Sequence, residues 1–232
     1  MPDYTAYVVR LNRLAPTFPV LVEQLIHKYQ ADGVATTHLI PLTDSMPIII
    51  CSGKQKGKVA AELCDKGYNS TKGMHYFGLK LHGIGFYRQG ALSKIDLLKV
   101  TPASQHDLEA QRQILIHTKG IALFADKAYC DKDLKKHFAD NDGELLTPVK
   151  YKKGQSIEDK QRHKATDDLY STAVSKIRQP IESLFNWLIE HTDIQRASKV
   201  VRSTKGLIVH VFGRIAAALI PNFINRAISV SA

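Results

Sequence analysis

IALFADKAYCDKD, residues 121–133, decides how this chain is read. A short apolar run climbs to Asp126, and a lysine, a small residue and a tyrosine follow at once. A carboxylate that closes a buried strand is either a turn residue, the commoner case, or one member of a site gathered at the carboxyl ends of a sheet's strands. The flanking sequence supplies the sheet. Residues 75–86, HYFGLKLHGIGF, put Phe77, Leu79 and Leu81 on one face and Tyr76, Lys80 and His82 on the other, the period-two alternation of a strand. ALSKIDLLKVTPAS (91–104) reads as its partner. THLIPLTDSMPIII (37–50) reads as an extended segment whose two prolines forbid helix, with Asp44 in its middle.

Helical patterns fill the intervals. FPVLVEQLIHKYQ (18–30) is amphipathic, and QHDLEAQRQILIHTKG (105–120) is a helix stopped by Gly120 with Leu108, Ile114 and Leu115 as its apolar side. DKDLKKHFADNDG (131–143) is a polar helix closed by Gly143, and ELLTPVK (144–150) is another short strand. Lys54 to Thr71, basic and punctuated by glycine, reads as a surface excursion. Residues 150–170 are polar enough to read as a basic loop or a disordered insert. After them KIRQPIESLFNWLIEHT (176–192) predicts a helix with Pro180 in its first turn and Glu182 near its N-terminus. A last helical region takes up residues 204–228. The order predicts an α/β domain around a mixed sheet.

The 232 residues, 44% hydrophobic, suffice for a sizeable core. Thirty-two Lys and Arg against 22 Asp and Glu leave a net charge of +10, which favours a polyanionic partner, nucleic acid first. Cys51, Cys64 and Cys130 are odd in number and widely spaced, suiting reduced thiols in the cytoplasm. A zinc set of Cys51, Cys64, His75 and His82 matches no ligand spacing. No secretory signal opens the chain, and GLIVHVFGRIAAALIP (206–221), interrupted by His210 and Arg214, is too short to span a bilayer. No membrane association is expected.

Three acids stand out by position: Asp44 within the first strand, Asp126 at the end of a later one, and Glu182 on the helix after the basic segment. Phosphodiester chemistry needs negative charge stabilised on both the attacking and the leaving oxygen, which two divalent ions about 4 Å apart can do. Carboxylate oxygens are suitable ligands for Mg²⁺ or Mn²⁺. Each acid also has a local explanation: a turn before Ser45 for Asp44, a helix cap for Asp126, a helix N-terminus for Glu182. His106 and Asp107 look like a hydrolase pair, but adjacent helical residues point different ways, and they read as a helix-start cap and its neighbour.

LTDSMPIIIC (42–51), YFGLKLHGIG (76–85), LLKVTPASQHD (97–107), LFADKAYCDKDL (123–134), RQPIESLFNWL (178–188) and KVVRSTKGLIVHVFGRIAAALI (199–220) together resemble the DDE transposases of bacterial insertion sequences, most closely the family numbered nine-eight-two. The likeness extends from about residue 5 to 225. It implies a ribonuclease H-like fold, a mixed sheet flanked by helices, with Asp44, Asp126 and Glu182 as a triad holding two Mg²⁺ or Mn²⁺. It implies a remnant of a DNA-end-binding helical region over 1–37, the catalytic domain over 38–203, and a C-terminal helical region over 204–232. Arg178, one turn before Glu182, matches the arginine that accompanies the third acid in relatives, where it holds a phosphate or orients the glutamate. Ser175 and Ile189 occupy the places of a tyrosine and a lysine found in some relatives, and Lys176 is the candidate substitute.

The function so implied is metal-dependent cleavage at the ends of a DNA element and strand transfer into target DNA, in the cytoplasm at the nucleoid, with a homodimer or higher multimer as the working form. Lys80 and His82, on the polar face of their strand, are candidate DNA or active-site neighbours or else solvated strand residues, and Lys152, Lys153 and the basic segments Lys54–Lys58 and Lys150–Lys164 are candidate DNA contacts or else solvated loops. Relatives carry a longer region before the first acid, so the chain is expected to be a shortened copy. Two rivals follow: a stand-alone ribonuclease H-like nuclease without strand transfer, and a non-catalytic DNA-binding remnant.

Overall fold

A computed structural model describes residues 3–31, 40–70, 72–115, 120–151, 154 and 156–220. Two helices, α1 (Tyr4–Arg13) and α2 (Thr17–Ala31), precede a strand β1 (Pro41–Ser52). Then come β2 (Asp65–Asn69), β3 (Met74–Phe86), β4 (Lys94–Pro102), α3 (Asp107–Leu115), β5 (Ala122–Phe124), α4 (Lys132–Asp140), β6 (Glu144–Leu146), α5 (Ile157–Thr192) and α6 (Thr204–Ile208). A π-helical turn, Val209–Gly213, carries the last helix on to residues 214–220.

The sheet is mixed. β3 lies antiparallel to β1, while β5 and β6 extend the other edge in parallel. β2 and β4 share one side of β3: β2 pairs with Met74–Gly78 and β4 with Leu79–Phe86. Without β2 the order is β4-β3-β1-β5-β6, three antiparallel strands followed by two parallel ones. This is the ribonuclease H-like arrangement that the family resemblance implied.

Alternation along the strands directs side chains to two cores. Leu42, Met46, Ile48 and Ile50 of β1 and Leu79 and Leu81 of β3 meet Ile181, Leu184, Phe185 and Leu188 of α5, with Val22 and Ile26 of α2. The opposite face is smaller: Leu123, Ala125, Leu145 and Ile84 pack against Tyr129, Leu134 and Phe138. Each fully buried aliphatic or aromatic side chain here contributes roughly 1.5–3 kcal/mol relative to exposure.

Three expectations need correction. The polar stretch 150–170 is largely helix, because α5 begins at Ile157 and runs 36 residues with Pro180 inside it. Six of the fourteen residues 157–170 are Glu, Gln, Lys, Arg or Ala, which favour helix without an apolar stripe. Glu158 and Arg162, and Lys164 and Asp168, also stand at supporting i, i+4 spacing. The segment 54–71 contains a strand, β2, whose burial is confined to Gly67; a Cβ at that position would lie 2.4 Å from the Ala103 carbonyl oxygen. In the turn after α4 the left-handed conformation falls on Asp142 (φ 57°), one residue before the glycine expected to close it.

The C-terminal apolar run is a buried helix as far as residue 220; the remainder of the region 204–228 expected to be helical lies outside the described residues. His210 lies inside it with Nε2 2.9 Å from the Ile194 carbonyl oxygen, and Leu207, Val211 and Ile215 join the larger core. Among the described residues no helix is long and apolar enough to cross a membrane.

Candidate active site

β1 and β5 run side by side in parallel with Leu42 opposite Phe124. Two residues further along each strand direction stand Asp44 and Asp126, so the shared register brings both acids to one face and one end of the sheet. On that face lies α5. Its close approach depends on glycines of β3: a Cβ at Gly83, the partner of Asp44, would come within 2.9 Å of the Phe185 ring, and one at Gly85 within 3.1 Å of Ile181. The bare strand lets the helix settle and carries its polar edge over the acids. Arg178 and Glu182, four residues apart, share that edge.

The guanidinium of Arg178 stands between all three carboxylates. Nη1 donates to Asp44 Oδ2 at 2.9 Å, Nη2 donates to Glu182 Oε1, and Nη2 is 3.8 Å from Asp126 Oδ1. The side chains of Asp126 and Glu182 are 45% and 44% exposed, while those of Asp44 and Arg178 retain 21% and 10%. The local explanations of the acids fail on this geometry. Asp44 sits within a strand, Asp126 precedes a 3₁₀ turn without capping it, and Glu182 lies deep inside α5.

Burial pushes the Asp44 carboxyl up to about 6, against the pull of Arg178 and of the Ser45 N–H, which donates to Oδ1 at 2.8 Å. Burial alone would lower the Arg178 pKa, but the charges of Asp44, Glu182 and Asp126 outweigh it and raise it further. A testable consequence follows for stability. Folded Asp44 keeps its proton to about pH 6, whereas the unfolded carboxyl loses it near 3.8. Its contribution is therefore complete below pH 4 and is lost as pH rises through 6, by roughly 2–3 kcal/mol. Urea unfolding in EDTA should show the wild type losing that much relative to Asp44→Asn between pH 4 and 7; a constant difference would contradict the assignment.

The sequence profile of the transposase DDE domain family matches residues 34–203. The chain belongs to this family. No curated protein and no solved structure matches it. DDE domains generally use divalent metals. The donor set here suits such ions in kind, three hard carboxylates turned toward one cationic centre. In this structure the central cation is Arg178 itself, and among the described residues no three His, Cys, Asp or Glu side chains are grouped to hold a metal as they lie. Cys51, Cys64, His75 and His82 form no such group either.

The other candidates fall in different places around Asp44, Asp126 and Glu182. Lys176 is exposed and lines, with Lys127 and Gln179, an open groove of about 650 Å³ that Asp126 and Glu182 also border. Lys152 and Lys153 lie outside the described residues. Lys80 turns inward, its Nζ donating to Asp107 Oδ1 at 2.9 Å and to the Gln105 carbonyl oxygen at 3.1 Å. His82, for which the alternatives are a DNA or active-site neighbour and a solvated strand residue, is not solvated. It has no exposed surface, because α3 covers that side of β3, and its Nε2 lies 2.9 Å from Thr101 Oγ1.

Asp107 is the residue that sequence reasoning passed over. His106 does behave as a local cap, its Nδ1 accepting from the Leu108 N–H, but Asp107 is more than its neighbour. It receives Lys80 and the Ser45 hydroxyl and lies 3.9 Å from His82 Nδ1. An acid at the start of the helix that follows the antiparallel strands was the available signal.

Proposed function

We propose that the chain cleaves DNA at the ends of an insertion sequence and joins the freed strands to target DNA, with Asp44, Asp126 and Glu182 holding two Mg²⁺ or Mn²⁺ ions. The observation that carries this reading is the convergence of three carboxylates, 138 residues apart from first to last, on one cationic centre in a chain of the DDE family. Bound there, the ions would stabilise charge on the attacking and leaving oxygens of an in-line displacement.

The chain's own residues supply the frame. Asp44 is fixed by the Ser45 N–H and by Arg178, so its oxygens are aimed before substrate arrives. Arg178 orients Glu182 at the same time. Half-exposed Asp126 and Glu182 face the groove of Lys127 and Lys176, whose ammonium groups suit backbone phosphates without reading sequence. In the first step a water oxygen bonds to phosphorus, the P–O3′ bond breaks, and the leaving oxygen takes up a proton as a 3′ hydroxyl. In the second, the oxygen of that hydroxyl bonds to a target phosphorus as it gives up its proton, the target's own P–O3′ bond breaks, and the freed target 3′ oxygen takes up a proton. No covalent link to the protein is needed. We assign the chain to the insertion-sequence family nine-eight-two, with a multimer bridging two ends.

Supercoiled plasmid bearing the DNA that flanks the reading frame, incubated with the chain and Mn²⁺, tests the proposal. Nicked and joined products that vanish in EDTA are expected, with DNA binding that weakens steeply as salt rises. Nicking without any joined product would point instead to a nuclease, and binding without cleavage under any divalent ion to a non-catalytic remnant.

A further inference from the structure

Neighbouring residues of β1 point to opposite faces of the sheet, and Asp44 and Ser45 use both. Asp44 looks toward α5 and Arg178; Ser45 looks toward α3. Ser45 therefore bridges the two sides. Its main-chain N–H donates to Asp44 Oδ1 at 2.8 Å, and its hydroxyl donates to Asp107 Oδ1 at 3.2 Å on the far face. Asp107 is itself fixed by Lys80, which is pinned in turn to the Gln105 carbonyl just before α3. Behind them lie buried Tyr129 and buried His82, whose Nδ1 has no hydrogen-bond partner among the described residues.

We infer that Asp107 is a positioning residue for the catalytic centre, acting through Ser45 to set the rotation of the β1 segment that presents Asp44. The inference rests on the metal-binding reading of the triad. If the Ser45 hydroxyl is released from Asp107, the peptide that carries its N–H loses that hydrogen bond on the α3 face, and the Asp44 carboxylate loses its fixed aim. Lys80 completes the device as the counter-charge that lets a carboxylate remain there, with only a quarter of its side-chain surface exposed. Groups that orient metal ligands from behind typically change metal affinity or activity by about 10–100-fold when removed.

The test compares Asp107→Ala, Asp107→Asn, Ser45→Ala and the Ser45→Ala/Asp107→Ala double variant, each checked for its unfolding midpoint. Two readouts are taken: Mn²⁺ affinity by calorimetry on the protein without DNA, and kcat and KM for plasmid nicking. Asp107→Ala and Ser45→Ala should each weaken Mn²⁺ binding and lower kcat by about 10-fold or more, leaving KM for DNA unchanged. The double variant should be no worse than either single one, because both break the same link. Asp107→Asn, whose amide oxygen still accepts from Ser45, should recover most of the loss.

Wild-type affinity and kcat in Asp107→Ala, with only the midpoint lowered, would overturn the inference. So would a loss in Asp107→Asn as deep as in Asp107→Ala together with one fewer Mn²⁺ bound, which would make Asp107 a ligand. Should Asp107→Ala fail to fold, the Ser45→Ala and Asp107→Asn results decide alone. Wild-type protein that takes up no Mn²⁺ overturns the metal reading of the triad, and this inference with it, whereas normal uptake that the variants leave untouched overturns this inference alone.

Discussion

Asp126→Asn should abolish Mn²⁺-dependent nicking and joining, by on the order of 10³-fold or more, while leaving the fold intact. The contrast comes from where the residue sits. Its side chain is 45% exposed and its contact with Arg178 is a loose 3.8 Å, so its loss should change stability by less than about 1 kcal/mol. An amide at that position keeps the shape and loses the anionic charge that a divalent ion requires. The measurement is product formation per folded molecule, with unfolding curves recorded in parallel. Activity within a few-fold of wild type would remove Asp126 from the mechanism.

Arg178→Met should have the largest effect on stability. The guanidinium is a positive charge that meets all three carboxylates, and Asp44 is too buried to be left to water. Removing one partner of a buried charge pair costs about 3–5 kcal/mol; the partial exposure of Asp126 and Glu182 moves the expectation here to roughly 2–4 kcal/mol. The sign of the metal response is the sharper test. In EDTA the variant should unfold well before the wild type, and millimolar Mg²⁺ should close most of that gap, because the ion binds the folded state and replaces the missing charge. A variant as stable as wild type in EDTA would mean that the acids do not need the arginine.

Much of this was legible in the sequence for physical reasons that differ from element to element. β3 announced itself through strict alternation, and β1 through prolines at 41 and 47 that helix cannot accept. Asp126 was visible because an apolar strand ended on it. The helix around Glu182 was legible, but its start was not. The helix that carries it begins far upstream in a stretch polar on every side, where no apolar period marks the start and Pro180 mimics a first turn.

Ser45 and Asp107 were hidden for another reason. Their importance lies in which face of β1 each neighbour uses and in what α3 brings against it, and that is a property of the assembled sheet. Lys80 and His82 were correctly placed on one face of β3, yet alternation alone could not tell that α3 would bury that face.

One consequence of the long α5 helix concerns tolerance of length. Arg178 and Glu182 share an edge because four residues advance the helix by little more than one full turn, each residue contributing about 100°. Adding or dropping a single residue between them would swing the glutamate through that angle, away from the strand ends, whereas the same change ahead of Ile157 would leave the two side chains in step. Variation among related chains should therefore accumulate before this helix and be nearly forbidden within the stretch 178–182, where angular phase, more than distance along the chain, keeps the third acid in place.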